Sequence, residues 1–145
     1  MSDFGAWILL LGRILIALNF IAVAGFAHLS KGSMFVGMAR QMGFPFPFLA
    51  SWAAGSWLVA AGASIVLGVW ADLGALMIAV FVIVAAAWFH RFWAIDDESL
   101  KQFQTLLFWR NVTFLGAALA LFAFFTAFGH DLPLTITDPL FDLRK

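Results

Sequence analysis

Apolar positions run in long blocks along this chain, and the polar positions fall between them. Residues 41–71, 73–89 and 111–129 contain no Asp, Glu, Lys or Arg, and between Phe4 and Ala27 the one charged residue is Arg13. A helix needs about 20 predominantly apolar residues to cross a hydrocarbon core of roughly 30 Å. The pattern predicts an all-α fold, an integral membrane four-helix transmembrane bundle forming one domain over residues 1–145, with spans at about 6–28, 48–69, 72–93 and 105–128.

The connections have their own signals. Gly68 and the stretch 70–72 predict a tight turn between the second and third spans. Between the first and second, Ser33 is placed to cap a short interfacial helix, with Phe35, Met38 and Met42 toward lipid and Lys31 and Arg40 toward water. The run Gly43-Phe44-Pro45-Phe46-Pro47 stops that helix. The loop after the third span is polar, and Asp96, Asp97 and Glu98 read as a solvated turn or a helix start. The tail after Gly129, with Pro133 and Pro139, is expected along the membrane surface. Ala22-Val23-Ala24 resembles a signal-peptide cleavage site, but the basic segment that should precede it is missing, so the first span is read as a retained helix.

Small residues predict where helices meet. Ser51, Gly55 and Gly62 fall within about 40° of one another at 100° per residue, and Gly116 and Ala120 form a second small pair. Charge predicts orientation. Lys31, Arg40, Arg91, Lys101 and Arg110 fall on one side, with only Arg144 and Lys145 far out on the tail and Arg13 within the membrane on the other, so both termini are expected outside the cytoplasm.

Composition removes several classes of function. The chain is 64% apolar and 11% charged, against roughly 45–50% and 25% in soluble domains. Zero formal net charge gives no footprint for nucleic acid. The absence of cysteine removes disulfides, thiol redox chemistry and thiolate ligands.

The candidate chemistry is sparse. Arg13 sits roughly 10 Å inside the first span, where an arginine costs at least about 2.5 kcal/mol and faces a partner or water. Asp72, at the same side, is the expected partner for this intramembrane charge. On the opposite side His28, His90, Gln104, Arg110 and Asn111 gather at helix ends, with Trp88, Trp93 and Trp109 as apolar walls, a set able to bind a quinone head group. Interfacial anchoring explains the same residues. Two histidines without supporting carboxylates make a weak metal or haem set, and Met34, Met38 and Met42 a weak copper stripe. No metal site is assigned.

Gly12-Arg13, the turn GFPFPF at 43–48, FHRFW at 89–93 and Phe108-Trp109-Arg110-Asn111 with Leu115-Gly116 occur in an order that resembles the DoxX family of small four-helix bacterial membrane proteins. Many relatives carry a lysine where this chain has Ala27-His28 and a glutamate near Leu58; this chain has neither. The resemblance implies residence in the bacterial inner membrane and a link to membrane redox systems, since DoxX-like chains include a small subunit of thiosulfate:quinone oxidoreductase. The expected function is a small accessory subunit of a larger redox- or quinone-linked complex, with no intrinsic cofactor beyond a possible bound quinone. Expected partners are membrane lipids and other membrane subunits, with a homo-oligomer as a further option. The alternatives are a stand-alone quinone-binding oxidoreductase component and a non-redox protein that binds a lipid or small ligand.

Overall fold

The computed structural model describes residues 2–143, and among them every regular element is helical. Helix α1 (Asp3–Ser30) starts where the Ser2 hydroxyl accepts a hydrogen bond from the Gly5 amide at 3.2 Å. It widens into a π-helical stretch at Asn19–Gly25. Helix α2 (Gly32–Gln41) follows directly, and Ser33 lies inside it rather than at its cap. Gly43, at φ 69°, and the two prolines end α2 and lead through a 3₁₀ turn, Pro47–Ala50, into α3 (Trp52–Leu67). Helix α4 (Ala71–Val84) continues into a π turn at Ala85–Phe89, and α5 runs from Glu98 to Phe128.

Three of these helical stretches are long and apolar enough to cross a membrane: Asp3–Ser30, Ala71–Ala94 and Glu98–Asp131. The expected second span is shorter than the sequence implied. Its 16 helical residues measure about 24 Å, because a 3₁₀ turn, Pro47–Ala50, and non-helical Ser51 take up the start of the apolar run and left-handed Gly68 ends it. The fourth expected span begins earlier, at Glu98 instead of about 105. The Asp97 carboxylate accepts from the Leu100 amide at 2.8 Å and from the Ser99 hydroxyl at 2.6 Å, which is an N-cap that lets helix form outside the apolar block.

Asp97 is fully exposed, and the Ser99 hydroxyl, followed by the Leu100 amide, holds its carboxyl below the usual carboxylate range. The bonded anion therefore supports the cap at ordinary pH, and that support is lost as pH falls through the lowered value. Asp97→Ala should speed hydrogen exchange at Leu100 near neutrality, and acidifying the native chain below the carboxylate range should do the same. Equal, pH-independent protection in both proteins, after correction for intrinsic exchange, would show that the cap is inert.

Helix α3 is the centre of the packing. Leu58, Ala61 and Ile65 on it meet Phe20 of α1, Ala75, Ile78 and Val82 of α4 and Ala118 of α5 in one apolar core. Phe20 also meets Phe114 of α5 edge-on at 5.2 Å, a side-chain contact between α1 and α5. The glycine face predicted on α3 is an interface: a Cβ at Gly55 would lie 2.6 Å from Leu29, and one at Gly62 would lie 2.5 Å from Ile21. Gly116 and Ala120 do not pack; both are exposed, and a Cβ at Gly116 would meet nothing within 4 Å.

Candidate functional site

The two ends of the bundle treat their polar groups differently. At the end that holds the α3–α4 turn, Arg13 is 1% exposed. Its Nε donates to the Ile65 carbonyl at 2.7 Å, one terminal nitrogen to Val66 at 2.7 Å and the other to Leu134 at 2.8 Å. Phe125 lies beneath the guanidinium at 5.9 Å. These acceptors exist because α3 stops. Gly68 adopts φ 66°, and the Val69 amide bonds the Ser64 carbonyl, so the carbonyls of Ile65 and Val66 have no helical donor. A cation at the negative end of a helix dipole is the favourable arrangement.

Asp72 is not the partner of Arg13, as the sequence had led us to expect. It is fully buried in the first turn of α4, where the positive end of that helix favours an anion. Its Oδ2 accepts from the Phe141 amide at 2.8 Å, and its Oδ1 has no hydrogen-bond partner among the described residues. Each charge is thus matched to a helix end and to the tail, not to the other charge.

The tail is docked onto the end of the bundle that holds the α3–α4 turn. The Gly68 carbonyl accepts from the amides of Ile136 and Thr137, both at 3.1 Å, and the Trp70 amide donates to the Thr137 hydroxyl at 2.8 Å. Trp70 at φ 47° and Leu134 at φ 62° hold left-handed backbone on the two sides of this clasp. Such conformations cost about 1–3 kcal/mol each and persist only where their surroundings fix them. A cavity of about 10 Å³, room for one water, remains between Gly68, Phe125, Thr135 and Pro139.

The opposite end keeps polar groups near the surface. Where α4 ends in its π turn, His90 Nδ1 lies 2.8 Å from Gln104 Oε1 on α5. Arg110 is exposed one and a half turns further along, within electrostatic reach of the imidazole. Trp88 and Arg91 both donate to the Met42 carbonyl at 3.2 Å, clasping the end of α2, and Phe92, Trp93, Phe108 and Trp109 form a linked aromatic cluster beside them.

A DoxX family model matches residues 8–91 of the 145. The chain belongs to the DoxX family. With its long apolar helices, it is a multi-pass membrane protein. No curated protein and no solved structure matches it. The matched part of this DoxX protein holds Arg13, the α3–α4 turn, His28 and His90, whereas Gln104, Arg110, Asn111 and the tail lie beyond it.

Of the five residues expected to form a head-group site, the structure joins His90 to Gln104 and brings Arg110 near. Asn111 is buried and donates to the Leu107 carbonyl of its own helix at 2.9 Å. His28 is used elsewhere: its Nδ1 donates to the Ala50 carbonyl at 2.7 Å, and its ring stacks on Phe35 of α2 at 4.0 Å. His28 and His90 thus have separate partners, and among the described residues no three His, Asp or Glu side chains gather as a metal cluster. Arg144 and Lys145, which entered the charge count, lie outside the described residues. The tail groups that complete the Arg13 end, Leu134, Thr137 and Phe141, escaped the sequence reading; the alternation Leu-Thr-Ile-Thr was the only signal of ordered backbone there.

Proposed function

We propose that this DoxX-family protein is a small accessory subunit of a larger redox- or quinone-linked membrane complex, and that a quinone head group is held at its His90 edge. The His90–Gln104 hydrogen bond carries the reading. Because the amide oxygen accepts, Nδ1 bears the proton and Nε2 keeps a lone pair able to accept from a quinol hydroxyl. Arg110 adds positive charge where a quinone oxygen becomes negative. The deep cation offers no such service, since it is 1% exposed and each of its three nitrogens is directed at a backbone carbonyl. The two electrons that reduce the quinone come from a redox centre on a partner subunit, and its two protons come from water.

In this reading α3, with the turn at Pro47–Ala50 before it, crosses the membrane as well, giving four spans in the bacterial inner membrane and both termini on the non-cytoplasmic side. Lys31, Arg40 and Arg91 are all exposed on the other side, which supports that orientation. Single cysteines at Ser99 and Leu140 should label from opposite faces; labelling from the same face would reverse the assignment.

The functional test is purification of the full chain in mild detergent, with mass spectrometry of bound subunits and extracted quinone. Wild type should carry redox subunits and stoichiometric quinone. His90→Ala should lower quinone about tenfold, the loss of one good hydrogen bond to a ligand, and leave subunit recovery unchanged. Recovery without redox subunits or quinone overturns the reading. Phospholipid bound instead would favour a lipid-binding role, for which an apolar groove of about 320 Å³ beside Ala63, Leu67, Trp70 and Met77 is available.

A further inference from the structure

Helix α1 packs only one side against the bundle. On the other, Ile8, Leu11, Leu15, Leu18 and Ala22 are all exposed. Their spacings alternate between three and four residues, the repeat by which two helices cross at a shallow left-handed angle. Asn19 borders this stripe, with exposed Leu15 one turn before it and exposed Ala22 and Val23 one turn after. It is half-buried, and its carboxamide makes no hydrogen bond among the described residues. By contrast Asn111, Thr113 and Thr126, on α5, each bond a carbonyl of their own helix.

Depth makes this omission costly. Asn19 lies within about 4 Å of the midpoint of α1 at 1.5 Å per residue, where lipid tails supply neither donor nor acceptor. It also opens the π-helical stretch Asn19–Gly25, a local widening that often accompanies function.

We propose that the outer face of α1 is a self-association surface on which a second copy of this chain packs in parallel, the two Asn19 carboxamides bonded to each other. Symmetry selects a second copy over an unrelated helix. Copies inserted in one orientation pair about a two-fold axis along the membrane normal, which sets each residue opposite its counterpart at equal depth. A carboxamide is both donor and acceptor, so Asn19 facing Asn19 satisfies both groups without any other polar residue. An unrelated helix would have to present a matching polar group at that same depth. Self-association of this kind needs no redox partner and stands apart from the quinone reading.

The cysteine-free chain allows a clean test. Leu15→Cys and Ala22→Cys in membranes should give oxidative dimers, while Ile83→Cys, exposed on α4, should not. In detergent, Asn19→Leu should weaken dimerisation about tenfold, or about 1.4 kcal/mol, and Asn19→Gln should retain it. Because Asn19 is half-buried at the edge of the stripe, the Asn19→Leu monomer must show the helical circular-dichroism spectrum and melting of wild type for its weaker dimerisation to count. Equal crosslinking at all three positions, unchanged dimerisation of Asn19→Leu, or recovery of α1 crosslinked only to a different protein would overturn the assignment.

Discussion

Replacing Arg13 with leucine is expected to release the C-terminal tail and open one end of the bundle. Leucine fills part of the space but donates nothing, so the carbonyls of Ile65, Val66 and Leu134 lose their donor together. An acceptor left unsatisfied away from water costs about 1–3 kcal/mol, which puts the combined loss at about 3 kcal/mol or more. For a chain of this size that is a drop of about 10 °C in melting temperature, readable by heating the detergent-solubilised protein and following its monodisperse peak. Lysine should rescue little, because one ammonium cannot reach three carbonyls in the directions a planar guanidinium does. Limited proteolysis should then cut after residue 131 in both variants and spare wild type. A melting temperature within a degree or two of wild type would mean that the brace contributes nothing.

The second large effect is expected at Gly25. A Cβ there would stand 2.7 Å from the Phe20 carbonyl and 2.9 Å from Val59. The first contact is backbone within the π-helical stretch, so no side-chain rotation relieves it. The second lies on α3, so relief by moving α1 outward breaks the approach of Gly55 and Gly62 as well. Gly25→Ala should cost about 1–3 kcal/mol as overpacking. Gly37→Ala, at a helical position with nothing within 4 Å, is the control and should be neutral. If both alanines behave alike, the close approach of α1 to α3 is not what holds that pair together.

The charged groups show how differently fold and site were legible. Arg13 was recognisable from sequence as a buried cation needing partners, because an arginine in an apolar block is conspicuous and costly. Its partners were not recognisable. Asp72 has opposite charge and similar depth, yet the ends of α3 and α4 present oppositely signed dipoles a few residues apart, and each charge went to the dipole that suits it. At the other end, His90 and Gln104 were placed on one side by helix counting, but so were His28 and Asn111, which the structure assigns to Ala50 and Leu107.

By itself the sequence determined the solvent, the helical class, the turns at 43–47 and 68–70, the α3 glycine face and the family resemblance. Each depends on a local property, namely hydropathy over a window, a proline or glycine at a fixed position, or the spacing of small residues along one helix. Only the tertiary structure decided the rest: the short α3, the docked tail, the outward turn of Gly116 and Ala120, and the Asn19 carboxamide that has no hydrogen bond among the described residues. Those depend on which carbonyls a helix end leaves without donors and which faces neighbouring helices cover, and both are fixed only when distant segments pack.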